Sequence, residues 1–189
     1  MDGVGFQILG IAGSLRRASY NRGLLRAAAE VLPAGAGLQI FALDDIPLFN
    51  ADLMELGDPP SVQELKARIR MADALLIATP EHNYSIPGVL KNALDWASRP
   101  LKTSCLRGKP VGIMGASSGD FGTVRAQLAL RQVFVLTDSR VMIQPEFRVP
   151  RAAEKCDAEG DLVDDELRHR LGVFLQALVD WGTLVGRPR

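Results

Sequence analysis

Charge of either sign is not in excess in this chain of 189 residues: Lys plus Arg and Asp plus Glu both count 22, so the formal net charge is zero. That balance removes the electrostatic footprint by which proteins hold nucleic acid or acidic membranes, and neither is expected as a partner. Cysteine and histidine are scarce, two of each. Cys105 and Cys156 form no Cys-x-x-Cys pair and have no histidine cluster beside them, which leaves no basis for a disulfide framework or a metal site. Two reduced thiols suit a cytoplasmic protein. Long apolar runs are missing as well. The most apolar stretch, Leu171 to Val185, is broken by Gln176 and Asp180 and falls short of the ~20 residues that cross a bilayer. Residues 1–5 lead into no signal-like apolar region, so no secretion signal is expected. Gly-x-Gly-x-x-Gly and Gly-Lys-Ser/Thr, the common dinucleotide and triphosphate loops, are both absent. What remains fits one domain, 1–189, long enough to bury a full core.

The most informative stretch present is Gly10-Ile11-Ala12-Gly13-Ser14-Leu15-Arg16-Arg17-Ala18-Ser19-Tyr20-Asn21. Phe6 to Ala12 is apolar apart from Gln7 and Gly10, as in a strand buried on both faces of a parallel sheet. Leu24, Ala28, Val31 and Leu32 follow at helical spacing. Between strand and helix, Ser14, Ser19 and Asn21 offer side-chain donors, Arg16 adds a charge, and the first helical turn offers backbone N–H groups with no partner inside the helix. This pattern suits a monoester phosphate, such as that of FMN. The alternative is that Ser19 or Asn21 simply caps the helix while the two arginines lie in water.

Strands and helices then alternate. Leu38 to Leu43 reads as a second strand and Ser61 to Met71 as a helix, with Ser61 and Glu64 as its capping box. Ala74 to Thr79 is a third strand, stopped by Pro80. Pro87 opens a helix lined by Val89, Leu90, Ala93, Leu94 and Ala97. Pro110 to Gly115 is a fourth strand, a glycine-rich turn follows to Gly122, and a helix is expected from Thr123 to Leu136. Arg140 to Ile143 is a fifth strand. Pro145 to Asp165 reads as an irregular connection, and Leu167, Leu171, Phe174, Leu175 and Leu178 line a last helix. Such alternation demands a mostly parallel sheet with ligands at the carboxyl ends of its strands. Loops 13–21, 80–87 and 115–122 converge at that edge. Three other features read as structural. His169 sits in a solvated charge run, Trp96, Trp181 and Phe174 occupy packing positions, and Lys91 with Asp95 makes a helical i,i+4 pair.

The second loop reads Thr79-Pro80-Glu81-His82-Asn83-Tyr84-Ser85-Ile86-Pro87-Gly88. Two prolines stiffen it, holding its backbone amides still, as a heterocycle with carbonyl and nitrogen edges requires. Three segments together resemble the NADPH-dependent FMN reductases of the flavodoxin-like fold, a group that includes bacterial quinone, azo-dye and chromate reductases. They are Gly13-Ser14-Leu15-Arg16 with Ser19 and Asn21, the run from Thr79 to Trp96, and the Gly115-to-Gln132 segment with Arg125-Ala126-Gln127 and Leu130-Arg131-Gln132. The likeness covers nearly the whole chain.

The resemblance implies an α/β flavodoxin-like three-layer sandwich, its five-stranded parallel sheet ordered 2-1-3-4-5. It implies that Ser14, Arg16, Ser19 and Asn21 hold the FMN phosphate, that Pro80, Glu81, His82 and Asn83 border the isoalloxazine ring, and that Ser117 and Gly119 close the site. It also implies a homodimer, often paired into a homotetramer, and Arg125, Gln127 and Arg131 on one helix are candidates for such an interface. The implied activity is ping-pong: hydride passes from NADPH or NADH to the flavin, then to a quinone-like, azo or metal-oxyanion acceptor, with no catalytic side chain required. Arg16 and Arg17 are candidates for the 2′-phosphate of NADPH. The family usually carries tyrosine at the position of His82, and often more glycine where Asp120 and Phe121 stand. A flavodoxin-like electron carrier serving protein partners is the competing reading, although such carriers are usually acidic and this chain is balanced. A flavin-free domain binding another phosphate ester is a third.

Overall fold

The computed structural model describes residues 5–186. The N-terminal residues where no leader is expected therefore lie partly outside the described residues. The elements are β1 (Phe6–Ala12), α1 (Tyr20–Glu30), β2 (Ala36–Phe41), α2 (Ala51–Glu55), α3 (Pro60–Met71), β3 (Ala74–Ala78), α4 (Gly88–Ala97), β4 (Pro110–Ala116), α5 (Val124–Leu136), β5 (Arg140–Val141), β6 (Phe147–Val149) and α6 (Asp165–Val185). The sheet runs β2-β1-β3-β4-β5, the order the resemblance implies, and every pairing in it is parallel.

β3 and β4 carry no polar side chain because both faces are covered. Leu75 and Ile77 of β3 face a core built with Leu65 and Ile69 of α3, Leu90 and Leu94 of α4, and Leu130 and Phe134 of α5. Ala74, Leu76 and Ala78 face the opposite layer, where α1 supplies Leu24 and Leu25 and α6 supplies Leu171, Phe174 and Leu178. Period-two alternation thus feeds two hydrophobic layers rather than one wet face and one dry face.

Four expectations need correction. The second strand ends at Phe41 rather than Leu43; Leu43 is buried all the same, as a loop residue in the α3–α4 layer. The fifth position of the sheet is divided. β5 pairs with Pro110 and Val111, the chain leaves around Pro145, which has no N–H for a ladder, and β6 rejoins β4 opposite Met114 to Ala116. The stretch after Pro145 is therefore more regular than expected. Finally, no capping box starts α3. Pro60 is its first residue, the Ser61 hydroxyl donates to the Asp45 carbonyl at 3.0 Å, and Glu64 pairs with Arg68 at 3.2 Å. The short α2, capped by Asn50 accepting from the Asp52 N–H at 2.9 Å, was not expected.

Candidate functional site

The carboxyl ends of β1, β3 and β4 open into the three expected loops, and specific bonds tie those loops together. Gly13 donates its N–H to Ala78 at 2.8 Å, fastening the first loop to β3. Beyond it, no hydrogen bond to another described residue engages the backbone N–H groups of Ser14, Leu15, Arg16, Arg17 or Ala18. Ser19 is the N-cap of α1, its Oγ accepting from the Arg22 N–H at 3.4 Å. Arg16 and Arg17 are exposed and form no ion pair among the described residues. The loop is shaped instead by Arg22, a residue the sequence reading passed over. Its guanidinium donates to the Leu15 carbonyl at 3.3 Å and to Asp44 at 3.0 Å. Asn21 is buried, and its amide bonds the end of β4 twice: Nδ2 donates to the Ala116 carbonyl and Oδ1 accepts the Ala116 N–H, each at 2.9 Å. One Nδ2 hydrogen remains.

In the second loop, Thr79 is buried and its hydroxyl donates to the Pro80 carbonyl at 2.9 Å. His82 and Ser85 exchange backbone hydrogen bonds of 3.0 and 2.9 Å around a tight turn whose central residues, Asn83 and Tyr84, have φ of 49° and 65°. Two central residues at positive φ are the mark of a type I′ turn, unusual for tyrosine. The Glu81 side chain points away from this turn. It accepts from the backbone N–H groups of Arg125 and Ala126 at 3.0 and 3.3 Å and from Arg125 Nε, so a carboxylate sits on the N-terminal turn of α5. The His82 side chain is exposed.

The third loop is backed by the chain after β6. Ser117 donates its N–H to the Val149 carbonyl at 3.1 Å, while the Arg151 and Ala152 N–H groups reach the carbonyls of Gly119 and Ser117 at 3.0 and 2.9 Å. At the root of this loop a Cβ on Gly115 would lie 2.1 Å from Thr123 Oγ1 and 2.4 Å from the Thr79 carbonyl, so the second and third loops meet only because that residue is glycine. Thr123 is fully buried at φ 68°, a strained position for a β-branched residue. Asn83, Tyr84 and Thr123 thus all hold positive φ along this one edge of the sheet.

Of the residues offered for a subunit interface, Gln127 is buried and its amide donates to Thr123 and to the Phe147 carbonyl, Arg131 donates to the Met142 carbonyl, and Arg125 is held by Glu81. All three serve their own chain. The remaining structural readings hold: Trp96 and Phe174 are buried, Trp181 donates to the Arg140 carbonyl, Lys91 and Asp95 pair at 2.7 Å, and His169 is exposed. A cavity of about 780 Å³ lies at the opposite edge of the sheet, among Arg70, Asp73, Cys105, Arg107 and Gly182. The C-terminal turns of α3 and α6 line it, and their dipoles do not favour an anion there. Among the described residues, no helix is long and apolar enough to cross a membrane.

A parallel sheet in the order 2-1-3-4-5, with open amides after its first strand and two rigid loops beside them, defines a flavodoxin-like domain of the mononucleotide-binding kind. The chain belongs to the NADPH-dependent FMN reductase family, whose family model matches residues 6–154, and is an oxidoreductase working with FMN and NAD(P)H. It is 48% identical over 175 residues to an NAD(P)H-dependent FMN reductase of Pseudomonas aeruginosa, covering 93% of this chain and 94% of that protein. It is 40% identical over 171 residues to a 2-hydroxy-1,4-benzoquinone reductase of a Burkholderia species, covering 90% and 93%. Among solved structures, the flavoenzyme NAD(P)H:(acceptor) oxidoreductase of Paracoccus denitrificans superimposes with a TM-score of 0.87 at 34% identity, covering 96% of this chain and all of that one.

Proposed function

We propose that this single-domain protein grips FMN by its phosphate in the first loop and reduces quinone-type acceptors at the expense of NAD(P)H. The observation that carries the reading is the run of backbone N–H groups from Ser14 to Ala18 left open beside the N-terminus of α1. A phosphate dianion meets both of their needs, supplying oxygens for the donors and negative charge for the dipole. The hydroxyls of Ser14 and Ser19, the Arg16 guanidinium and the spare Nδ2 hydrogen of Asn21 complete the cradle. The backbone of Pro80 to Asn83, held by the paired His82 and Ser85 bonds, borders the isoalloxazine ring, and Ser117 and Gly119 close the third side.

Bound there, the flavin supplies hydride chemistry between the nicotinamide and the acceptor, which is why the site needs no general acid or base of its own. The residues around it fix orientation and aim amide donors where negative charge grows on reduction. Nicotinamide and acceptor take turns at one opening, which gives ping-pong order. Quinones lead among acceptors because proteins 37–41% identical, from Pseudomonas putida and Escherichia coli, are named quinone reductases; azo compounds and metal oxyanions extend the same reading. Exposed Leu48, Leu128 and Val135 suit burial against a second copy, as in a homodimer or homotetramer, and the free thiols Cys105 and Cys156 suit the cytoplasm.

The test is to titrate the purified chain with FMN and then follow NAD(P)H oxidation with and without a quinone. Saturable yellow colour and quinone-dependent oxidation are expected. Colour without oxidation would make the chain an electron carrier, and no colour would end the reading altogether.

A further inference from the structure

Between β6 and α6 the chain makes a short hairpin whose tip is pressed, backbone to backbone, on the end of the first loop. Cys156 and Leu162 bridge antiparallel, the Asp157 N–H donates to the Asp161 carbonyl at 3.0 Å, and Asp157 Oδ1 accepts the N–H groups of Glu159 and Asp161 at 3.1 and 2.8 Å. Gly160, in the turn of this hairpin, is buried with φ 83°. A Cβ there would lie 3.0 Å from the carbonyl carbon and oxygen of Ala18 and 3.1 Å from the carbonyl carbon of Ser19. The contact is close from the other side too. A Cβ on Gly23, in the first turn of α1, would lie 1.9 Å from the Gly160 carbonyl oxygen. Two glycines thus let two backbones approach more closely than side chains allow. The hairpin is anchored as well: Leu162 is buried in the layer of α1 and α6, and Arg26 of α1 donates to the Asp161 carboxylate and, at 3.3 Å, to the Glu159 carbonyl. Just upstream, the Ala152 N–H holds the Ser117 carbonyl of the third loop at 2.9 Å.

Resting on the flavin reading above, we propose that Gly160 is a positioning residue for the flavin phosphate: the hairpin of residues 156–162 backs the first loop and fixes Ala18 and Ser19 where their donors reach that group, with Gly23 making room for it and Asp161 anchoring it. Arg22 holds the loop at Leu15, and the hairpin holds its other end. Ala18 closes the run of open amides that begins at Ser14, and Ser19 caps α1, so the place of Gly160 decides where that run meets the helix. The hairpin is no ligand for an anion itself. It carries three carboxylates, Asp157, Glu159 and Asp161, and by charge alone these would oppose a phosphate. What it contributes is shape.

The experiment titrates the full chain, freed of flavin, with FMN and with riboflavin, and records the phosphorus NMR resonance of bound FMN. Gly160→Ala pushes Ala18 and Ser19 by a few tenths of an ångström and is expected to weaken FMN binding by about threefold to tenfold while riboflavin changes by less than about twofold. The phosphorus resonance should move and the visible flavin bands should not. Gly160→Asn tolerates the positive φ but carries the same Cβ, so it should behave like the alanine variant. Asp161→Ala removes a carboxylate, which by charge alone would tighten an anion; the lost anchor is expected instead to weaken FMN by about twofold to threefold. Equal losses for both flavins in Gly160→Ala, an unmoved phosphorus resonance, or recovery of wild-type binding in Gly160→Asn would each overturn the proposal. Should the Gly160 variants fail to fold, Asp161→Ala decides alone, and unchanged or tighter FMN binding overturns it. Wild-type protein that takes up no FMN would instead end the flavin reading, so the two failures are told apart.

Discussion

A single buried amide joins the first loop to the root of the third: Asn21, at the start of α1, holds both backbone groups of Ala116 at the end of β4. Replacing it with alanine leaves a buried N–H and a buried C=O without partners. Asn21→Ala is therefore expected to lower folding stability by about 2 kcal/mol, seen as a lower urea midpoint at constant m-value. An unchanged midpoint would return Asn21 to a purely ligand-binding role. Arg22 makes the opposite prediction. It also holds the loop, through Leu15 and Asp44, but with side chains 29% and 47% exposed its ion pair is screened. Arg22→Ala should leave the urea midpoint within about 0.5 kcal/mol while weakening FMN affinity about threefold, because the open amides lose their fixed curvature at a cost near that of one net hydrogen bond. Fluorescence titration of FMN reads the second effect.

At the scale of elements, α5 starts where a glutamate from another loop meets it rather than at a cap of its own. Thr123 makes no side-chain capping bond to it, and Glu81 receives the first N–H groups instead. Glu81→Ala should cost about 2–3 kcal/mol, since it strips the helix start and leaves Arg125 partly buried without its counter-charge; chemical denaturation against wild type measures it, and a loss under 0.5 kcal/mol would remove Glu81 from this role. Contacts of this kind explain what the sequence could and could not disclose. The strands and long helices were legible because apolar spacing alone specifies them, and the first loop because its donors follow a strand directly. The division of β5 from β6 was foreshadowed by Pro145. The αL conformations of Tyr84 and Thr123 were not, since neither residue type favours positive φ; the paired His82 and Ser85 bonds hold Tyr84 in its turn, and Thr123 is held in the buried interior. Ser61 and Glu64 misled for a related reason: Pro60 had already started the helix, and the Ser61 hydroxyl found Asp45 in space.

At the scale of the whole molecule, stability is expected to depend on pH and on ligand. Near the start of α1 the chain after β6 folds back, Gly160 lying against Ala18 and Ser19 and Cys156 bridging to Leu162. Burial, with help from Asp157 and Asp161, raises the Cys156 thiol from 9.0 to about 11. The unfolded chain therefore loses that proton first. Above pH 9 it binds fewer protons than the folded chain, so stability should fall from pH 9 to 11 and level off beyond. Cys156→Ser should flatten this slope in urea midpoints across that range, and an equal slope in the variant would clear the thiol of responsibility. Ligand acts in the other direction. FMN held only by the folded chain at a hundred times its Kd adds about 2.7 kcal/mol, and for a domain of this length that is a rise of about 5–10 °C in Tm. Riboflavin carries the same ring without the phosphate. If the first loop supplies the grip, riboflavin at equal concentration should raise Tm far less, and Arg16→Ala should bring the FMN response down toward the riboflavin one. Equal shifts for the two flavins in the wild-type chain would locate the grip at the ring and leave the open amides of residues 14–18 without a ligand.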